Sequence, residues 1–140
     1  MKRHLTLHND IQEVPQLAAF IDEVAEECNI DMALTMSLNL AMEEAVVNVM
    51  NYAYPAGTVG NVDIDAEFDN GTLTFVLSDS GTPFDPTQAN DPDLTLQAED
   101  RPIGGLGIFL VRQIMDQVEY HYRDGKNILT LSKNISSVNP

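Results

Sequence analysis

The sequence predicts an α+β domain in which helices lie on one face of a mixed, mainly antiparallel sheet. Two stretches between residues 14 and 52 repeat apolar side chains at helical spacing. Two pairs of alternating stretches meet at Asp69-Asn70-Gly71 and at Asp124-Gly125-Lys126-Asn127, turn chemistry that closes hairpins and so builds antiparallel pairs. A chain of 140 residues has room for one proper core and not for two of ordinary size. With no repeat or linker in it, residues 1–140 are expected to form a single domain.

Taken in order, Arg3 to His8 alternates around Leu5 and Leu7 and reads as a first strand, with His4 and His8 at the surface. From Val14 to Cys28 the set Leu17, Phe20, Ile21, Val24 and Cys28 forms a helical stripe, and Asp22, Glu23, Glu26 and Glu27 fill the other face. Asn29-Ile30-Asp31 breaks that helix, and Asp31 caps a second one that runs to about Tyr52, where Pro55 and Gly57 stop it. The methionines Met32, Met36, Met42 and Met50 are expected to fill gaps in the core. Val62, Ile64, Ala66 and Phe68 alternate with Asp63, Asp65 and Glu67, the pattern of a strand with one buried face. The returning strand, Leu73 to Leu77, delivers Asp79 to its end. Residues 80–102 carry four prolines and little periodicity, and read as a long loop. A third helix follows Gly104-Gly105-Leu106-Gly107, then a hairpin of Val118–Tyr122 and Ile128–Leu131, and a frayed tail from Asn134.

Composition removes several function classes. The formal charge of -15 with only seven Lys and Arg argues against a nucleic-acid surface, which needs clustered cations against phosphate. There is no long apolar span and no signal-peptide pattern after Met1-Lys2-Arg3, so no membrane insertion is expected and the chain is expected to be cytoplasmic. The single cysteine, Cys28, has no internal disulfide partner and suits a buried thiol. The same negative charge would repel a nucleotide triphosphate unless Mg²⁺, backbone N–H groups or a helix N-terminus offset it.

Three stretches carry chemistry. On a helix Glu44 and Asn48 project from one face, while Glu43 turns about a hundred degrees away. A carboxylate there can take a proton or orient a hydroxyl, and an amide oxygen can serve Mg²⁺; an exposed polar stripe is the ordinary alternative. Asp79, straight off a strand, can accept from an exocyclic amine such as that of adenine, and Gly81 lets backbone approach the base; Asp-Ser-Gly is also plain turn chemistry. Gly104, Gly105 and Gly107 before an apolar helix suit an anion at its N-terminus, or a hinge. Arg101, just ahead, is a candidate phosphate contact on charge grounds or a solvated loop cation. The glycines match neither a Walker loop nor a dinucleotide fingerprint.

In this order and at about these separations, Glu44-Ala45-Val46-Val47-Asn48, Asp79-Ser80-Gly81 and Gly105-Leu106-Gly107 resemble the nucleotide-binding boxes of the GHKL ATPase superfamily. The stretches Asn48–Tyr54, Asp79–Asp85 and Gly105–Asp116 look most like the anti-sigma-factor serine kinases, and the resemblance spans about residues 3 to 133. It implies a two-layer α/β sandwich of the Bergerat type, with Asp79 on the adenine amine of ATP, Asn48 holding Mg²⁺, and the glycine box closing on the phosphates. It also implies that Glu44 orients or deprotonates the accepting serine hydroxyl. The expected activity is that of an ATP:protein serine kinase which phosphorylates a small STAS-like anti-anti-sigma protein and sequesters a sigma factor, with homodimerisation implied by the resemblance alone. Tyr52 stands where relatives often carry histidine. The rival expectation is a non-catalytic module that binds ATP, or none, and works through partner proteins.

Overall fold

The computed structural model describes residues 1–55, 57–88 and 105–135. Strand β1 (Lys2–His8) leads through a single 3₁₀ turn, Ile11–Glu13, into helix α1 (Val14–Glu27), and helix α2 (Met32–Tyr52) follows. The hairpin β2 (Asn61–Asp69) and β3 (Thr72–Asp79), a second 3₁₀ turn at Pro86–Gln88, helix α3 (Gly105–Ile114) and the hairpin β4 (Gln117–Arg123) and β5 (Lys126–Asn134) complete the order.

Local chemistry sets these boundaries. Pro15 occupies the first turn of α1, where its missing N–H costs nothing. Asn29 leaves α1 at φ 57°, and the Ile30 N–H then reaches the Ala25 carbonyl at 2.9 Å, a left-handed helix ending that satisfies an orphan carbonyl. Asp31 caps α2 by accepting from the Leu34 N–H at 2.7 Å. Asn70 and Gly71, at φ 52° and 79°, and Asp124 and Gly125, at φ 54° and 76°, give both hairpins the paired positive φ of tight turns.

The five strands are ordered β1-β2-β3-β5-β4, and every neighbouring pair runs antiparallel. Leu7, Val62, Ile64, Leu73, Phe75, Leu77, Leu129 and Leu131 are buried on one face of the sheet, together with the stripes of α1 and α2 and with Ile108 and Val111 of α3. Each such side chain contributes about 1.5–3 kcal/mol by leaving water. The other face carries Asp63, Asp65 and Glu67, as the alternation requires. Helix α2 packs against α1 and α3, so a broad part of its surface is apolar and the polar positions inside that part stand out.

Four expectations are corrected. Met42 and Met50 are core residues, but Met32 and Met36 are 80% and 67% exposed; the buried positions of α2 begin only at Leu38. Cys28 is half-buried at the end of α1, and partial burial pushes its thiol pKa up. Asn134 and Ile135 are docked where fraying was expected: the Asn134 N–H donates to Asp116 Oδ2 at 2.6 Å, and the Ile135 N–H donates to the Gly71 carbonyl at 2.8 Å. Asn127, read as turn chemistry, is the second residue of β5 and is buried. His4 and His8 lie at the surface as expected, each beside a carboxylate, Asp65 at 2.7 Å and Glu13 at 2.9 Å. No helix among the described residues is long and apolar enough to cross a membrane.

Candidate nucleotide site

Asp79 ends β3 on the buried face, two residues beyond Leu77, and is 4% exposed. Its Oδ1 accepts from the Gly81 N–H and from Asn127 Nδ2, both at 2.9 Å. Oδ2 has no hydrogen-bond donor among the described residues. Burial pushes the Asp79 pKa above its ordinary value, and the bonds from Asn127 and Gly81 pull it part of the way back. The result is a buried carboxylate with one oxygen committed to the protein and one available to a donor.

The segment after Asp79 is tied to the end of α2. The Thr82 N–H donates to the Ala53 carbonyl at 2.6 Å. Tyr54 donates its hydroxyl to the Asn61 carbonyl at 2.7 Å and accepts from the Ser80 N–H at 3.2 Å, and burial pushes its pKa up. A Cβ on Gly81 would lie 2.3 Å from the Ala53 carbonyl oxygen, and one on Gly60 would lie 2.2 Å from the Tyr54 ring. Gly81 was expected to admit a base; the close approach the structure displays is to the backbone of Ala53, so glycine is required there even without ligand. These ties hold the strand end and the helix end in register.

On α2, Asn48 is 8% exposed, and its amide makes no hydrogen bond among the described residues. Glu44, one turn earlier, is half-buried and likewise without an ion pair or hydrogen bond there, whereas Glu43 is exposed. A buried amide in a helix without a partner costs stability, so Asn48 is not explained by packing. Gly105 opens α3 and Gly107 lies in its first turn, and α3 packs on α2; the N–H groups of that first turn lack intrahelical acceptors. Arg101 and Gly104 lie outside the described residues.

A cleft of about 710 Å³ opens beside the strand ends and is lined by Tyr54, Asn61, Asp63, Asp79, Gly81 and Lys126, among others. It brings Asp79 and Gly81 together and does not include Glu44 or Asn48. Tyr52, at the end of α2, packs its ring on Phe84 with centroids 5.5 Å apart, which connects the helix to the segment leading away from Asp79. Arg112 of α3 donates to the Thr87 carbonyl further along that segment.

Asn127 is the residue that sequence reading missed. It lies directly opposite Asp79 in the β3–β5 register and is 4% exposed. Besides Asp79, its Nδ2 donates to the Thr82 carbonyl at 2.9 Å, and its Oδ1 accepts from the Phe84 N–H at 2.9 Å and from the Tyr120 hydroxyl. The available signal was the alternation Asn127, Leu129, Leu131, which puts an amide on the inward face of a strand.

Comparison with known proteins bears on the family and the fold. Residues 7–133 match the family described as the histidine kinase-like ATPase domain. The serine/threonine-protein kinase BtrW of Bordetella bronchiseptica is 32% identical over 101 residues, covering 72% of this chain and 71% of BtrW. The serine-protein kinase RsbW of Listeria monocytogenes is 30% identical over 96 residues, 66% of this chain and 61% of RsbW, so the match leaves more than a third of that relative uncovered. Among solved structures, the RsbU and RsbW domains of Rv1364c from Mycobacterium tuberculosis superpose with a TM-score of 0.69 at 16% identity, covering 96% of this chain and 32% of that one. The histidine kinase domain of a blue-light activated histidine kinase from Erythrobacter litoralis gives 0.56, also at 16% identity, over 91% of this chain and 61% of that one. Two curated relatives named as serine/threonine- and serine-protein kinases and a family match across most of the chain agree: the chain belongs to the histidine kinase-like ATPase domain family.

Proposed function

We propose that the protein is a cytoplasmic ATP:protein serine kinase of the anti-sigma-factor type. The observation that carries this reading is Asn48, an amide buried on α2 that lacks a partner among the described residues, with Glu44 one helical turn before it. A hard cation suits such an amide oxygen, with phosphate and water completing its ligands. The free oxygen of Asp79 suits an exocyclic amine, and the start of α3 suits phosphate. The donor set therefore fits a Mg²⁺-bound adenine nucleotide.

When bound, ATP supplies the phosphoryl group, and Mg²⁺ neutralises charge on it. The chain's own residues position and select. Asp79 accepts from the base, Gly81 keeps its loop against α2, and Gly104, Gly105 and Gly107, with Arg101, are the residues assigned to phosphate. Asn48 serves the cation. Glu44 orients the serine hydroxyl of a protein substrate and takes its proton. That substrate is a small STAS-like anti-anti-sigma protein. A doubly charged phosphoserine is repelled by a chain of net charge -15, so transfer releases the partner and leaves the kinase to hold a sigma factor, in the manner of a homodimeric partner switch.

Calorimetric titration with ATP, with and without Mg²⁺ and again with GTP, tests the pocket without any partner. The expected result is Mg²⁺-dependent, adenine-selective binding. Labelled-phosphate transfer to a STAS-like protein then tests the activity. Binding without transfer to any such partner would leave a non-catalytic nucleotide-binding module, and no binding by the folded protein would end the kinase reading.

A further inference from the structure

We propose that Asn127 is the positioning residue for adenine selectivity: it locks the Asp79 carboxylate so that a single oxygen faces the base. The inference rests on the reading of Asp79 as the base acceptor and adds what makes that carboxylate selective.

The argument starts from capacity. An asparagine amide has two N–H donors and an oxygen with two lone pairs. All four are used here: Nδ2 donates to Asp79 Oδ1 and to the Thr82 carbonyl, each at 2.9 Å, and Oδ1 accepts from the Phe84 N–H at 2.9 Å and from the Tyr120 hydroxyl. The amide cannot be flipped, because a flip would turn its oxygen toward a carboxylate and a carbonyl and its NH₂ toward an N–H donor. Its donor face toward Asp79 is therefore fixed by bonds on the far side of the group.

That fixed donor, together with the Gly81 N–H at 2.9 Å, occupies Oδ1 from two directions. The carboxylate plane is then held, and Oδ2 is the oxygen left for a ligand. A carboxylate presenting one free oxygen accepts from the amine of adenine; it repels the carbonyl that guanine carries at the same place. The two side chains are direct cross-strand partners, so the hydrogen bond is built into the register of β3 and β5. Around the pair stand Tyr54 after α2, Asp63 on β2, Asp85 beyond β3, and Tyr120 on β4 with Lys126 on β5.

Asn127→Asp separates positioning from folding. It is isosteric and keeps an acceptor for Phe84 and Tyr120, but it replaces the donor toward Asp79 with a second carboxyl oxygen. Two carboxyls at that separation hold one proton between them. With the proton on the new carboxyl the donor toward Asp79 returns, while the bond to the Thr82 carbonyl stays lost because a carboxyl has a single O–H; once that proton leaves, like charges oppose each other. Titrations of the intact chain with ATP and GTP from about pH 5.5 to about pH 8.5 read this difference. The wild type is expected to hold its ATP preference toward the alkaline end. The variant is expected to lose ATP affinity by about tenfold per pH unit above the apparent pKa of the pair, and its preference over GTP with it.

A variant that matches the wild type in affinity, selectivity and pH profile overturns the inference. A wild type without preference for ATP, or Asp79→Asn with the preference intact, overturns the reading of Asp79 itself and this inference with it, whatever happens at 127. A second readout uses the unsubstituted protein. The side-chain amide resonances of Asn127 are expected to titrate with the Asp79 carboxyl in the free protein and to shift on addition of ATP but not of GTP. An amide insensitive to both overturns the inference even where the variant fails to fold.

Discussion

Asn127 and Asn48 are both buried asparagines, 4% and 8% exposed, yet they are treated oppositely by the fold. Asn127 uses every donor and acceptor it has on Asp79, Thr82, Phe84 and Tyr120. Asn48 uses none among the described residues. Apart from Asp79 Oδ2, the strand-end network is thus finished before any ligand arrives, while Asn48 on α2 is left without a partner among the described residues. A base is read by fixed geometry, which a satisfied network supplies. A cation and a phosphoryl group bring their own ligands, and the side chains facing them must be left free. On the proposed kinase reading, the contrast separates the part of the site that selects from the part that reacts.

The strongest way to break this comparison is Glu44→Ala. If the α2 region is where reaction occurs, losing a group that accepts the serine proton lowers phosphoryl transfer by about 10²–10⁴-fold, while ATP affinity measured by calorimetry stays close to wild type. Unchanged transfer would remove Glu44 from the site. A parallel loss of binding would mean that the two regions do not divide the work.

Asp79→Asn probes the finished region. The new amide oxygen can still accept from Gly81 and Asn127, which turns the NH₂ toward the ligand, where it opposes the adenine amine and matches a guanine carbonyl. ATP binding is expected to weaken by about 1–3 kcal/mol, with the preference moved toward GTP in the same titration. The substitution also changes stability against pH. Because the native pKa of Asp79 is raised, the folded state holds the proton more tightly between the ordinary value of 3.8 and the native one, so stability falls as pH rises through that window. Denaturant melts of Asp79→Asn should lack that fall. Asp116, lowered by the bond from the Asn134 N–H, acts in the opposite sense and below 3.8, where stability is lost as pH falls, and should behave alike in both proteins.

Gly81→Ala sharpens the link between the regions. Its Cβ would meet the Ala53 carbonyl oxygen at 2.3 Å, and backbone on both sides leaves no flexible side chain to move away. A loss of about 1–3 kcal/mol in chemical denaturation is expected, with Asp79 and the end of α2 pushed apart. Full stability would show that the two segments are free to separate.

What could be read from the sequence follows the range of the interactions. Helix α2, its Asp31 cap and both hairpin turns are written in residues within a turn or two of each other, and their boundaries agree closely with the fold. Glu44 and Asn48 were legible because helical spacing puts them one turn apart. Asn127 was not, since three of its four partners, Phe84, Thr82 and Asp79, lie 43, 45 and 48 residues away in the chain and its neighbours Asp124 and Gly125 read as a turn. Gly81 was legible as a glycine that must be there, but the reason, the carbonyl of Ala53, belongs to another element. Met32 and Met36 share the composition of the core methionines; that burial along α2 begins only at Leu38 depends on what packs against the helix, which no local pattern records.

The smallest expected effect goes furthest into the comparison. Asn48→Ala and Asn127→Ala remove the same atoms from buried positions. At 127 the change strands the Phe84 N–H, the Thr82 carbonyl and the Asp79 carboxylate, and should cost about 1–3 kcal/mol of stability for the groups left unpaired. At 48 no partner is stranded. The lost contacts of a side chain the size of asparagine are offset by no longer burying an unpaired amide, so stability should move by less than about 1 kcal/mol, with the loss confined to Mg²⁺-dependent ATP binding. Denaturant melts of the two variants in the absence of nucleotide decide this directly. Equal losses would mean that Asn48 does have a structural partner, and the distinction between a finished and an incomplete region would then fall.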